Sequence, residues 1–213
     1  PIGVLIVGRS VDLIETQAFD CKISGETNNA WLATATLNCR QIGADSTDSG
    51  TVKSPFQGNS GLTTVTIGDD CKVIGRNAFH MFDGSGARIT GPVQTLNGCA
   101  GVEEIGSRAF WKNNISNHVV YTSIKSVRYE SFRNNNFTSI TFGADFNEIE
   151  DRAFDDCFAL RNVYIYAMQP PAINAGGGVF TGTATPGLIN IHVPVGSSWG
   201  STWQGASVVK DLT

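Results

Sequence analysis

Charge is scarce in this chain. Only 16% of its 213 residues are charged, and 15 Lys and Arg against 19 Asp and Glu give a formal net charge of -4. No run of basic residues relieves that balance, so the electrostatic footprint that nucleic-acid binding needs is missing. Long apolar runs are also missing. None approaches the roughly 18–20 residues of a helical membrane span. The short Ile2–Val7 run lacks the basic flank and cleavage site of a signal peptide. Its abrupt apolar start is what an excised or processed chain would show, with a first repeat that packed on something else.

The residues of catalytic and metal chemistry are few and badly spaced. His80, His118 and His192 belong to no His-Glu-x-x-His or His-x-His arrangement, which leaves them as surface or cap residues. The cysteines are Cys21, Cys39, Cys71, Cys99 and Cys157, an odd set without any Cys-x-x-Cys. Cys99 and Cys157 stand three residues after Leu96 and Phe154, a spacing that suits buried thiols acting as small hydrophobes; a Cys21–Cys39 disulfide stays open as an alternative. Gly196-Ser197-Ser198-Trp199-Gly200 fits Gly-x-Ser-x-Gly formally. That elbow needs a later acid and His, and after Ser198 there is Asp211 but no His. Ser198 therefore reads as an exposed residue of a capping turn. The pairs Asp69-Asp70, Glu103-Glu104 and Asp155-Asp156 read as solvated turn residues, and Gly176-Gly177-Gly178 lacks the dinucleotide fingerprint. Trp31, Trp111, Trp199 and Trp203 suit core or cap packing better than sugar-stacking platforms. No catalytic, cofactor-binding or metal-binding residue is expected, and the chain is not expected to be an enzyme.

What the chain does have is repetition. An Ile or Val lies four residues before a small residue followed by Phe at Ile14/Ala18-Phe19, Ile74/Ala78-Phe79, Ile105/Ala109-Phe110, Val127/Ser131-Phe132 and Ile149/Ala153-Phe154, with a weaker copy at Ser54-Pro55-Phe56. A strand pattern follows at Leu62-Thr-Thr-Val65-Thr-Ile67, Phe137-Thr-Ser-Ile140-Thr-Phe142 and Leu160-Arg-Asn-Val163-Tyr-Ile165. The Phe spacings of 23 from Phe56 to Phe79, then 22 from Phe110 to Phe132 and 22 from Phe132 to Phe154, are a true period. One unit cannot bury its own apolar positions, whereas stacked units can, so the period predicts a solenoid with a continuous core. Alternation puts Val and Ile of each strand inside and the intervening polar residues outside. The composition agrees: 24 Gly and many Asn, Ser and Thr are turn and strand formers.

The pattern Ile-x-x-x-Ala-Phe-x-x-Cys-x-x-Leu-x-x-Val-x-Ile, nearly complete at residues 149–165, resembles the BspA-type leucine-rich repeats of Treponema and Bacteroides surface proteins. The resemblance covers roughly residues 10–165. Residues Ala167-Met-Gln-Pro170-Pro171 and Ile191-His-Val193-Pro194-Val-Gly196-Ser197 resemble the closing segment of such proteins from Bacteroidetes. The resemblance implies a mainly β, right-handed leucine-rich-repeat solenoid with one short strand per coil of about 22–23 residues. It implies repeats over 1–165, with irregular inserts near 22–55, 83–95 and 113–121, and a C-terminal loop and hairpin cap over 166–213. Ala30–Leu37 reads as a short helix or a strand, and Asp45–Lys53 as a polar insertion.

Outward strand positions are the expected ligand face: Thr64, Thr66, Ser123, Lys125, Ser139, Thr141, Asn162, Tyr164 and Tyr166. The resemblance implies a secreted or cell-surface domain that adheres to host or bacterial surface and matrix proteins, with no cofactor. Non-catalytic glycan binding is the alternative on the same fold. A β-helical polysaccharide-degrading enzyme is a third reading. It would need charged residues at matching strand positions, where this chain has Thr, Ser, Asn and Tyr.

Overall fold

A computed structural model describes residues 3–19, 32–44, 53–82, 88–174, 176–182 and 186–213. Almost all regular structure in it is strand; a short 3-10 turn at Pro186–Leu188 is the one helical element described. No described helix is long and apolar enough to cross a membrane.

Each coil has three walls. The front wall holds the strands that the alternating pattern predicts. Gly3–Val7, Leu32–Leu37, Thr64–Ile67 and Thr95–Gly98 form one parallel sheet. Val119–Tyr121, Ser139–Phe142, Asn162–Ile165, Asn190–Pro194 and Ala206–Leu212 continue it in parallel as a second, and Thr202–Trp203 closes that sheet antiparallel. The ambiguous segment before Leu37 is thus a strand. The second wall adds a ladder beyond the one strand per coil expected. The Ile or Val of Ile-x-x-x-Ala-Phe pairs in parallel with its counterparts, from Leu13–Ile14 through Val73–Ile74 to Ala172–Asn174. Two residues suffice for each rung because both neighbours supply bonds.

The third wall is made by the Ala-Phe turns. Residues two before each Phe adopt positive φ at Gln17, Asn77, Arg108, Glu130 and Arg152, and those two after do so at Lys112, Asn134 and Asp156. Such conformations cost about 1–2 kcal/mol for a non-Gly residue. Hydrogen bonds between coils offset that: Phe79, Phe110 and Phe132 N–H donate to the carbonyls of Ala109, Ser131 and Ala153 at 2.8–2.9 Å. The seven rings of Phe19, Phe56, Phe79, Phe110, Phe132, Phe154 and Phe180 then stack in one column at 5.1–5.9 Å. A small residue must precede Phe because the coils touch there. Ala78, Ala109, Ser131 and Ala153 are fully buried.

Three residues after the Phe, the interior carries buried amides. Asn135 Nδ2 donates to the carbonyls of Phe110 and Phe132 at 2.8 and 2.9 Å, and its Oδ1 accepts from Ile115 N–H at 3.2 Å. Asn113 does the same for Phe79 and Val93, and Asn59 bonds the Phe19 carbonyl. Cys157 occupies that position in the next coil, its Sγ 3.2 Å from the Phe132 carbonyl. These side chains satisfy backbone groups that neither sheet reaches.

The ladders run past residue 165, where the sequence pattern fades. Ala172–Asn174 pairs with Glu148–Glu150, Phe180 stacks on Phe154, and Asn190–Pro194 pairs with Asn162–Ile165. This coil is long and broken by Pro and Gly, which hides its period in the sequence. Much of the expected insert near 22–55 lies outside the described residues, including Trp31 and 45–52, as does Cys21 and with it the Cys21–Cys39 alternative. In the insert near 83–95, Met81–Phe82 and Arg88–Ile89 pair antiparallel. The insert near 113–121 contains the strand Val119–Tyr121.

Candidate functional site: the strand face

Register places the outward residues of the front wall in straight rows. Thr34, Thr64 and Thr95 form one, and Thr36, Thr66 and Asn97 the next, with Val4 and Ile6 at the head of these rows. In the second front sheet, Ser139, Asn162, Asn190 and Ser207 form one row, and Val120, Thr141, Tyr164, His192 and Val209 the other. Thr64, Thr66, Ser139, Thr141, Asn162 and Tyr164 therefore stand where alternation puts them. Tyr166 follows the strand end, 42% exposed, with its N–H on the Phe142 carbonyl at 3.0 Å.

Ser123 and Lys125 do not belong to this face. The strand of their coil is Val119–Tyr121, in register with Ile140–Phe142, so its outward residue is Val120. Ser123 sits in the bend after the strand, and its N–H bonds the Ala100 carbonyl. Lys125 lies at the corner, with Nζ 2.6 Å from Glu103 Oε2. With Asp145, Asn147 and Met168 it lines an open cleft of about 720 Å3. The strand Val-Val-Tyr has no polar residue between its apolar ones, so it lacks the alternation that marks the other strands.

Two histidines that look scattered in sequence meet on this face. The Tyr164 ring stacks on His192 at 4.7 Å and 22°, and its centroid lies 6.1 Å from that of His118, the two rings inclined at 69°. His118 Nδ1 is 2.6 Å from Ser139 Oγ and its Nε2 3.0 Å from Thr141 Oγ1. His192 Nδ1 is 2.8 Å from Asp211 Oδ2 and its Nε2 3.1 Å from Asn162 Oδ1. A signal was available: Asn190-Ile-His-Val repeats the alternation of Asn162-Val-Tyr-Ile, which puts His192 beside Tyr164. His80 differs from both. It is fully buried, stacked on Trp111 at 4.9 Å with Nδ1 3.0 Å from the Trp111 carbonyl, so it is a core residue and not a surface one.

Charged side chains gather on the other two walls, where they pair between coils. Arg128 reaches Glu104, Glu148 and Glu150 at 2.9–3.3 Å. Arg133 bridges Glu130, Asp155 and Asp156 at 2.5–3.2 Å, and Arg108 meets Glu130 at 2.8 Å. Of the acidic pairs, Asp69 and Asp70 are exposed turn residues as expected, whereas Asp155 is buried, because the turn wall folds it under Arg133. Burial by itself would raise the Glu130 carboxyl, but hydrogen bonds from Arg108 and Arg133 outweigh it and hold it below the ordinary value. On the strand face, by contrast, the described outward rows hold one acidic group, Asp211, beside His192, and the exposed Lys210 of the same strand turns its Nζ to the Ser197 carbonyl at 2.9 Å.

The remaining motifs take structural places. Ser198 Oγ donates to the Met168 carbonyl at 3.2 Å and no helix follows it, so the nucleophile geometry is absent. Trp111 and Trp199 are buried, and Trp203 packs edge-on to Phe180 and Trp199. Burial pushes the thiol of Cys39 up to about 11 and those of Cys71 and Cys157 up to about 12. No described set of three or more His, Cys, Asp or Glu side chains is arranged to hold a metal ion.

Comparison with curated proteins finds no match. The family model for the BspA type leucine rich repeat region matches six copies over residues 53–169, more than half of the chain. The coil geometry extends that pattern on both sides, to Phe19 and to Phe180. By its repeats, its parallel ladders and this match, the chain belongs to the BspA-type leucine-rich-repeat family.

Proposed function

We propose that this chain is a non-catalytic interaction domain, secreted or displayed at a cell surface, that adheres through its strand face to host or bacterial surface and matrix proteins. In this reading the repeats of 1–165 and the coil that follows through Phe180 and Asn190–Pro194 present the face, and the strands Thr202–Trp203 and Ala206–Leu212 close it. The observation that carries it is the sorting of charge. The ion pairs of Arg108, Arg128 and Arg133 occupy the second and third walls, while the outward rows hold mainly Thr, Ser, Asn, Tyr, His and Val, with Asp211 beside His192. The cores of protein interfaces are depleted of charge in the same way, because an uncompensated charge is costly to desolvate. Repeat proteins of this kind present stacked strands as extended binding surfaces. The glycan alternative is weaker on this surface: Trp111 and Trp199 are buried, and His192 covers one face of the Tyr164 ring.

The test is a screen of the full chain against immobilised matrix proteins and a glycan array, beside a variant carrying Thr66→Ala, Thr141→Ala and Tyr164→Ala. Protein binding that the folded variant loses supports the strand face. Glycan binding alone, or binding unchanged in the variant, refutes it.

A further inference from the structure

The front wall breaks between Thr95–Gly98 and Val119–Tyr121, and the break leaves a backbone edge bare. Thr95–Gly98 pairs with Thr64–Ile67 on one side only. Thr95 and Cys99 face that partner, their N–H groups donating to the carbonyls of Thr63 at 3.0 Å and Ile67 at 3.2 Å. By alternation Leu96 and Gly98 face the other way, toward the break. A side chain satisfies Leu96 there: its N–H donates to Asn117 Oδ1 at 2.9 Å, and its carbonyl accepts from Asn117 Nδ2 at 2.7 Å. The clamp stops at Leu96. Among the described residues no acceptor meets the Gly98 N–H.

That bare nitrogen follows Asn97, and Asn97-Gly98 is the one Asn-Gly step in the chain. Both residues are exposed. Asn97 ends the outward row of Thr36 and Thr66, and its side-chain amide makes no hydrogen bond to a described residue. The fold demands glycine after it: Gly98 has a φ of 78°, and a Cβ placed there would fall 1.9 Å from the Ile67 carbonyl oxygen. With no side chain of its own, Gly98 leaves its nitrogen open to the carboxamide beside it. Asn59 also precedes a small residue, Ser60, but it is fully buried with Nδ2 donating to the Phe19 carbonyl at 2.7 Å.

We infer that Asn97 is a site of spontaneous covalent modification, in which its side chain closes on the Gly98 nitrogen and ends as aspartate or isoaspartate. The Gly98 nitrogen gives its proton to water and attacks Asn97 Cγ. The new N–C bond closes a succinimide ring, and the Cγ–Nδ2 bond breaks to release ammonia. Water then opens the ring at either carbonyl: attack at Cγ restores the normal backbone with an aspartate, and attack at the α-carbonyl carbon routes the backbone through Cβ as isoaspartate. Water enters and ammonia leaves, so no oxidant, metal or further reactant is needed. Either product puts a carboxylate at the end of a row that otherwise holds Ile6, Thr36 and Thr66. Isoaspartate also lengthens the backbone beside the Asn117 clamp. The charge therefore arises on the strand face, although the chemistry itself is independent of what that face binds.

The experiment holds the folded full chain at mildly alkaline pH over several weeks. Peptide mass spectrometry locates each amide exchanged for an acid, and enzymatic methylation scores isoaspartate. A parallel sample unfolded in guanidinium chloride gives the rate of the same sequence without the fold. Residues at a strand end fray at little cost, so the native rate at Asn97 should lie within about tenfold of the unfolded rate and ahead of every other described asparagine. Wild type should accumulate a more acidic species on ion exchange, Asn97→Ser should abolish it, and Asn97→Asp should run with it from the start. The wild-type comparison stands without either variant. A native rate at Asn97 below that bound would mean that pairing with Thr64–Ile67 protects the step, and the inference falls. It falls as well if acid gathers first at another described asparagine of the native chain, if neither sample changes at Asn97, or if the acidic species persists in Asn97→Ser.

Discussion

Replacing Phe132 by alanine tests whether one aromatic column holds the coils together. The ring is 1% exposed and lies 5.6 Å from Phe110 and 5.3 Å from Phe154, with interplanar angles of 6° and 7°. Phe137 and Tyr121 pack edge-on against it at 5.8 and 5.9 Å. Truncating a buried Phe costs about 3–5 kcal/mol. Two stacked neighbours, each contributing ~0.5–1.5 kcal/mol beyond buried area, place Phe132→Ala near the upper end. Phe180 has one column neighbour, Phe154 at 5.9 Å, and belongs near the lower end. Because each coil touches only its neighbours, the difference reports the column itself. In a chain of this size a loss of about 5 kcal/mol lowers the melting temperature by roughly 10–20 °C. Urea unfolding followed by far-UV circular dichroism and tryptophan fluorescence gives both values from midpoints at constant m. Phe132→Leu, which keeps most of the volume, should cost only ~1.5 kcal/mol. A loss under about 2 kcal/mol for Phe132→Ala, or a larger loss for Phe180→Ala, would refute the reasoning.

Three further outcomes are expected. Asn135→Ala leaves the Ile115 N–H without its acceptor and takes the amide donor from the Phe110 and Phe132 carbonyls, which keep only weaker bonds from Asn113 N–H and Cys157 Sγ, a loss of about 2 kcal/mol that chemical unfolding would measure; a near-neutral result would mean water reaches these groups. Glu130 has a folded-state value below its unfolded one, so its contribution is present above the unfolded value near pH ~4.3 and is lost as pH falls through the folded value. Glu130→Gln should accordingly weaken the chain at neutral pH and flatten its acid limb of stability against pH, and an unchanged acid limb would count against the Arg108–Glu130–Arg133 cluster. Cys39, Cys71, Cys99 and Cys157 are buried and their thiols are raised, so native protein at mildly alkaline pH should leave all four unmodified by a thiol reagent, with reaction following denaturation. Rapid modification of any of the four in the native state would show that its coil opens.

The sequence by itself determined the coil. A period of 22 to 23 residues with Phe at a fixed place dictates stacking, because only neighbouring copies can bury those rings. Alternation then fixed which face of Thr64–Ile67, Ser139–Phe142 and Asn162–Ile165 is wet. Local pattern could not reveal where the period is stretched. The coil through Ala172–Asn174 and Phe180 is legible only from its pairing with the coil before it, since proline and glycine lengthen its turns. Strand register along Val119–Tyr121 likewise needed its partner Ile140–Phe142, and it removed Ser123 and Lys125 from the face. The meeting of His118, Tyr164 and His192, residues far apart in the chain, was decided by the stacking of parallel rungs. So was the pairing of Arg108, Arg128 and Arg133 with carboxylates of neighbouring coils on the two other walls. A one-dimensional period specifies what each coil does with its own residues; which residues of different coils become neighbours depends on register, and register is a property of the assembled sheets.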